Sequence, residues 1–197
     1  MDHKLKLNSP LIAAVFVLGS AAGAAAQTPA DIWSAAGVTG SIDEADLSMH
    51  QFNSTGSVSI KSSVAGGTLD IRFPVQTMTN HLAPAGACTE LRAVLRDTGA
   101  GARVIVSLMQ LGIRSGFEGQ LTRLGQIDSD TTPRLTALNQ PDQYAAYRTC
   151  LKVPTEPPFD FASYTYYVEA QLIKTSSSAN PGLMSVQICH TDEQCEP

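Results

Sequence analysis

From Tyr164 to Lys174 the chain alternates strictly between two faces. Tyr164, Tyr166, Val168, Ala170 and Leu172 fall on one side, and Thr165, Tyr167, Glu169, Gln171 and Ile173 on the other. This is the period-2 signature of a half-buried β-strand. A Ser/Asn/Pro/Gly run from Thr175 to Gly182 interrupts it, and Leu183 to Cys189 then alternates again with Met184, Val186 and Ile188 on one side. The pattern predicts a β-hairpin with a longer loop, placed at the centre of the fold.

The same pattern recurs earlier. Ser41–Phe52, a turn over Asn53–Gly56 and Ser57–Lys61 predict a first hairpin. Thr68–Thr77 sets Leu69, Ile71, Phe73 and Val75 against Asp70, Arg72, Pro74 and Gln76; Pro74 lacks a ladder donor, which predicts an edge or a bulge there. Glu90–Asp97 alternates, Thr98–Gly101 turns, and Ala102–Ile113 is apolar on both faces for much of its length, as expected of a strand inside a sheet with both faces covered. Gln120–Ile127 and Tyr147–Val153 are shorter strands flanking a polar stretch over Asp128–Gln143. With about nine short strands, close turn signals and no amphipathic helix, the expected fold is all-β, an antiparallel two-sheet sandwich of jelly-roll type.

The N-terminus changes where that domain begins. Lys4 and Lys6, the apolar run Leu11–Leu18 and Ala24-Ala25-Ala26 before Gln27 read as a secretory signal peptide over residues 1–26. Its apolar core is too short for a permanent membrane span, and no cysteine near the cleavage point suggests a lipid anchor. Residues 27–40, which hold the only tryptophan, Trp33, are expected to form a flexible lead-in or a short edge. Residues 41–197 make one domain. The expected destination is the periplasm or the extracellular space.

Charge narrows the partners. Cleavage leaves 17 acidic and 11 basic side chains, a formal charge of −6 with no Lys/Arg cluster, which speaks against nucleic acid. All four cysteines, Cys88, Cys150, Cys189 and Cys195, lie after the leader. In an exported chain they predict two disulfides with three possible connectivities. Cys88–Cys150 with Cys189–Cys195 is preferred because the last two can close a small loop at the tail. On loop entropy the long bridge contributes roughly 4 kcal/mol and the short one roughly 2 kcal/mol. Cys-x-x-Cys and His-Glu-x-x-His are both missing, so no metal and no cofactor are expected.

Catalytic signals are sparse. The chain after the leader has no Gly-x-Ser-x-Gly elbow, and adjacent Cys189 and His190 would point to opposite faces of a strand. A glycosidase needs two acids about 5 to 10 Å apart; Glu169 is the one acid in the middle of a strong strand, and no partner is identifiable. Asp128-Ser129-Asp130 begins like a calcium loop but lacks the glycine and distal glutamate of an EF-hand, so turn chemistry explains it. Asn53-Ser54-Thr55 matches a glycosylation acceptor, but the same residues make a good hairpin turn, and the turn is the role expected of them. Tyr167, Glu169 and Gln171 share one strand face and fit a sugar platform, a ring beside polar groups that take hydroxyls, with Tyr144 and Tyr147 expected at its rim.

The stretches SIDEADLSMHQFNSTGSVSI, GARVIVSLMQ and FDFASYTYYVEAQLIKTSSSANPGL resemble small exported bacterial proteins of unknown function. The resemblance implies an exported single domain and brings no catalytic or binding residue with it. Three functions follow as expectations: a non-catalytic binding module for a glycan or cell-envelope polymer, a structural or adhesive protein that oligomerises through the Ile105 and Met109 face, and, least favoured, a polysaccharide-acting enzyme using Glu169.

Overall fold

The computed structural model describes residues 33–76, 89–137, 144–151 and 159–190. Its strands are β1 (Trp33–Ala36), β2 (Ser41–Ile42), β3 (His50–Phe52), β4 (Val58–Ile60), β5 (Gly67–Val75), β6 (Thr89–Thr98), β7 (Ala102–Gly112), β8 (Leu121–Asp128), β9 (Arg134–Ala137), β10 (Tyr144–Cys150), β11 (Tyr164–Lys174) and β12 (Asn180–His190). Two antiparallel sheets face each other. The first runs β3-β4-β12-β6-β10-β9, with β1 added along β12; the second runs β2-β5-β11-β7-β8. This is the β-sandwich expected, with twelve strands among the described residues rather than about nine.

The alternation fixes which side chains meet in the core. In the second sheet Leu69, Leu172 and Val104 lie in one row, Ile71, Ala170 and Val106 in the next, then Phe73, Val168 and Leu108. All nine are buried. Leu91, Ala93 and Leu95 of β6 face them from the first sheet, beside Ile188, Val186 and Leu183 of β12. Burying each large aliphatic side chain contributes about 1.5–3 kcal/mol. Tyr166, buried at the end of its row, has its hydroxyl satisfied by Gln110 Nε2 at 3.2 Å and the Asp160 amide at 2.8 Å.

Pro74 occupies a margin that no strand covers among the described residues. The Asp70 amide points away from β11, to Asp46 Oδ2 at 3.0 Å, so by two-residue periodicity the Pro74 nitrogen points the same way. Strand β2 pairs only with Arg72 and Ile71, and no ladder donor is required at Pro74.

The expected hairpin is not formed. β11 pairs with β5 and β7, whereas β12 pairs with β6, β1 and β4. Residues 175–179 cross the roughly 10 Å between sheets instead of turning within one. Alternation reveals the core face of a strand but not its neighbours, and each of these strands lies between two others. The β6–β7 turn crosses in the same way beside it: Thr175 donates its amide to Gly101 O at 2.9 Å, and Ser176 Oγ donates to Ala100 O. Gly99 and Gly101 have φ of +85° and +86°, and a Cβ on either would meet the neighbouring crossover at 2.1 Å. Glycine is therefore demanded twice by backbone and by space.

Three further expectations change. β1 pairs Trp33–Ala36 with Ile188–Ser185, so the sandwich includes residues assigned to the lead-in, in the short-edge form. β9 arises from a stretch read as polar loop. β7 lies inside its sheet, but its outward Arg103, Ile105, Met109 and Leu111 are only half-buried; no second layer covers that face among the described residues. Asn53–Gly56 does turn as expected, through Asn53 N to Ser57 O at 2.9 Å and Gly56 N to Asn53 O at 3.0 Å.

Candidate functional site

Because β11 sits between β5 and β7, its outward residues are flanked on both sides. Tyr167 lies between Pro74 and Met109, Glu169 between Arg72 and Ser107, and Gln171 between Asp70 and Ile105. The structure thus brings Tyr167, Glu169 and Gln171 together on one open face, all three half-buried. Arg72 Nε donates to Glu169 Oε1 at 3.3 Å, and Gln171 Nε2 donates to Asp70 Oδ1 at 2.9 Å. Toward the sheet margin the face opens into a groove of about 100 Å³ lined by Ser41, Ile42, Asp43, Asp70 and Arg72. Its polar groups are prearranged: Asp43 Oδ1 accepts from the Ala45 amide at 3.0 Å, and the Arg72 side chain is 60% exposed beyond its contact with Glu169.

The face is therefore divided. One end is mostly apolar, with Tyr167, Met109 and Pro74 in one row, which the exposed Arg123 of β8 closes, and Leu111 and Leu121 in the next. The other end carries paired polar groups, including Arg103, whose guanidinium grips Asp128 through Nε at 3.0 Å and through Nη2. That contact holds the Asp128 carboxyl below its usual range. Asp128 and its neighbours form the turn expected of them: the Thr131 and Thr132 amides both donate to Asp128 O.

Tyr144 and Tyr147 do not border this face. Both belong to β10, in the opposite sheet. Tyr147 faces the core and is 1% exposed, its hydroxyl accepting from Arg134 Nε at 3.0 Å. Tyr144 lies on the outward side of the first sheet under Arg96, whose Cζ is 5.2 Å from the ring centroid, and its buried hydroxyl has no hydrogen-bond partner. Sequence periodicity could not assign β10 to a sheet, and this is what misplaced the two rings.

Arg72, Asp70, Ser107 and Met109 were missed as members of the face. Their outward phase was legible in the alternation of β5 and β7, but their register against β11 was not. Glu169 faces Arg72 and Ser107 rather than a second acid, and Asp70, diagonal to it, is held by Gln171. Cys150 and Cys189 flank Glu90 from opposite sides in the other sheet. Both are disulfide-bonded. At two strand spacings, about 10 Å, they are beyond reach of each other; Cys88 and Cys195 lie outside the described residues. Among the described residues no group of three or more His, Cys, Asp or Glu is placed to hold a metal, and no helix is long and apolar enough to cross a membrane.

No family model matches the chain, and no curated protein does. Solved structures resemble its backbone. A family 30 carbohydrate-binding module aligns with a TM-score of 0.42 at 12% identity, over 84% of this chain and 85% of that one. A carbohydrate-binding module described as recognising mannan aligns with a TM-score of 0.37 at 7% identity, over 83% and 90%. A family two carbohydrate esterase from Cellvibrio japonicus aligns with a TM-score of 0.36 at 9% identity over 81% of this chain, which spans only 34% of the esterase.

Proposed function

We propose that this chain is an exported, non-catalytic binding module for a glycan or cell-envelope polymer, and that it binds through the outward face of the second sheet. The observation that supports this is the juxtaposition of Tyr167 with Glu169, Gln171, Arg72 and Asp70, continuous with the groove at Ser41–Asp43. A ring supplies an apolar surface for a sugar face, and the fixed carboxylates, amide and guanidinium beside it take hydroxyls. Arg72 is paired with Glu169 and Arg103 with Asp128 across strands, and Asp70 is held by Gln171, which favours an uncharged ligand. The Arg72–Glu169 pairing disfavours Glu169 as a catalytic acid, which requires an apolar setting that holds it protonated.

Two related proposals complete this reading. Residues 1–26 act as a secretory leader. Of the three disulfide connectivities, the separation of Cys150 from Cys189 disfavours the one that joins them, and we favour Cys88–Cys150 with Cys189–Cys195; peptide mapping of the unreduced chain distinguishes this from the remaining alternative.

The test is a screen of residues 27–197, oxidised, against bacterial and plant polysaccharides, recording both retention and released reducing sugar. Retention without release supports the module, and release supports an enzyme. A second reading, oligomerisation through Ile105 and Met109, draws support from the apolar continuation of that face to Leu121, which is 54% exposed. Sedimentation that is monomeric at every concentration overturns it.

A further inference from the structure

The outward face of the second sheet is built in rows that run directly across the strands. Pro74, Tyr167, Met109 and Arg123 form one row, on β5, β11, β7 and β8, and Arg72, Glu169, Ser107 and Gln126 form the next. Four adjacent strands give the first row a length of about 14 Å, room for about three hexose units laid end to end. Three of its side chains offer apolar surface, and Arg123 stands exposed at the β8 end.

The polar groups beside that row differ in what they already hold. On β5 and β11 they engage one another: Arg72 Nε donates to Glu169 Oε1 at 3.3 Å, and Gln171 Nε2 donates to Asp70 Oδ1 at 2.9 Å. On β7 and β8 they do not. Neither the Ser107 hydroxyl nor the Gln126 amide has a side-chain hydrogen bond among the described residues, although Ser107 is only 7% exposed and Gln126 is half-buried. A ligand hydroxyl that meets Arg72 or Gln171 competes with a bond already made, whereas one that meets Ser107 or Gln126 supplies a bond that the fold leaves unmade.

We propose, resting on the reading that this face binds glycan, that the ligand is an uncharged, extended chain of hexoses lying across the strands from Tyr167 over Met109 to β8, with Ser107 and Gln126 as its hydrogen-bonding residues. The apolar side chains stand in line, so a ribbon-like β-1,4-linked chain keeps successive sugar faces over them. A coiled α-1,4-linked chain does not. Hydroxyl and primary amide each donate and accept, as sugar hydroxyls do, and the Arg123 guanidinium at the end of the row donates to a hydroxyl as well. Ser107 and Gln126 are neutral, so nothing under the middle of the chain selects a carboxylate.

The test is affinity electrophoresis of residues 27–197 in gels holding hydroxyethylcellulose, glucomannan, soluble starch or polygalacturonate. Retention is expected from hydroxyethylcellulose or glucomannan and not from starch or polygalacturonate. In the retaining gel, Gln126→Ala is expected to bind roughly fivefold and Ser107→Ala roughly threefold more weakly than the parent, while Gln187→Ala, on the outward face of the other sheet, binds as the parent does. No retention by the first two polymers, retention by starch or polygalacturonate that is as strong, or retention of Gln126→Ala or Ser107→Ala equal to the parent's overturns the proposal. Where Tyr167→Ala is lost from the gel but those two variants are held like the parent, the face binds glycan and this proposal alone falls; where Tyr167→Ala is held as well, the reading of the face falls with it.

Discussion

Replacing Tyr167 by alanine separates the binding face from the scaffold beneath it. The ring is half-buried and points outward, with Met109 and Pro74 opposite it on the two neighbouring strands, and the core-facing Tyr166 and Val168 are untouched. Its cross-strand contacts amount to roughly 0.5–1 kcal/mol of stability. For a domain of this size each kcal/mol moves Tm by about 2–4 °C, so the variant should melt within about 4 °C of the parent. A ring that stacks on a sugar acts as a hot spot, and its truncation costs about 2 kcal/mol, or roughly a 30-fold weaker Kd. Affinity electrophoresis on the retained polysaccharide, with thermal melts on the same preparations, reads both quantities. Unchanged retention would sink the assignment of Tyr167. Loss of retention with a Tm lower by more than about 10 °C would show that the ring serves the fold.

Three other outcomes test the surrounding reasoning. Leu172→Ala, in a fully buried row with Leu69 and Val104, should cost about 2–5 kcal/mol in urea denaturation; a change below about 1 kcal/mol would contradict the packing. Asp97 has its carboxyl pushed up, first by burial and further by Asp130 and Asp128, against a hydrogen bond from Ser129. Its folded pKa lies above the unfolded one, so ionisation penalises the fold above the folded pKa and the penalty vanishes as pH falls below the unfolded pKa. Asp97→Asn should therefore raise Tm at pH 7 and converge with the parent in acid; a gain that persists in acid would refute this. Glu169→Gln should leave retention within a few-fold and stability within about 1 kcal/mol, since the Arg72 pair is exposed; release of reducing sugar by the parent that disappears in this variant would reinstate the enzyme.

Much of the fold was legible because the solvent-facing and core-facing residues of β5, β6 and β11 alternate without a break. The same alternation correctly placed Tyr167, Glu169 and Gln171 on one open face. It could not report which strands are neighbours. The link between β11 and β12 has the composition of a hairpin loop, yet it crosses between sheets, because a polar five-residue segment serves either geometry. Tyr144 and Tyr147 were misplaced for a related reason: they are three residues apart on one strand, so one faces the core and the other faces out of the opposite sheet. β9 escaped notice because Arg134–Ala137 is short and lies at a sheet edge, where a polar composition carries little cost.

The crossover of β11 and β12 also bears on when the chain can fold. β11 joins β5 to β7, and β12 joins β1 and β4 to β6, so the strands that complete both sheets come from residues 164–190. Until they arrive, β5 lacks its partner toward β7 and β6 lacks its partner toward β4. Loop-closure entropy has then been spent on few long-range contacts. Folding should be late and cooperative, and a chain truncated before Tyr164 should remain unfolded. Under the export proposed above this timing is useful, because residues 1–26 emerge long before the sandwich is able to close.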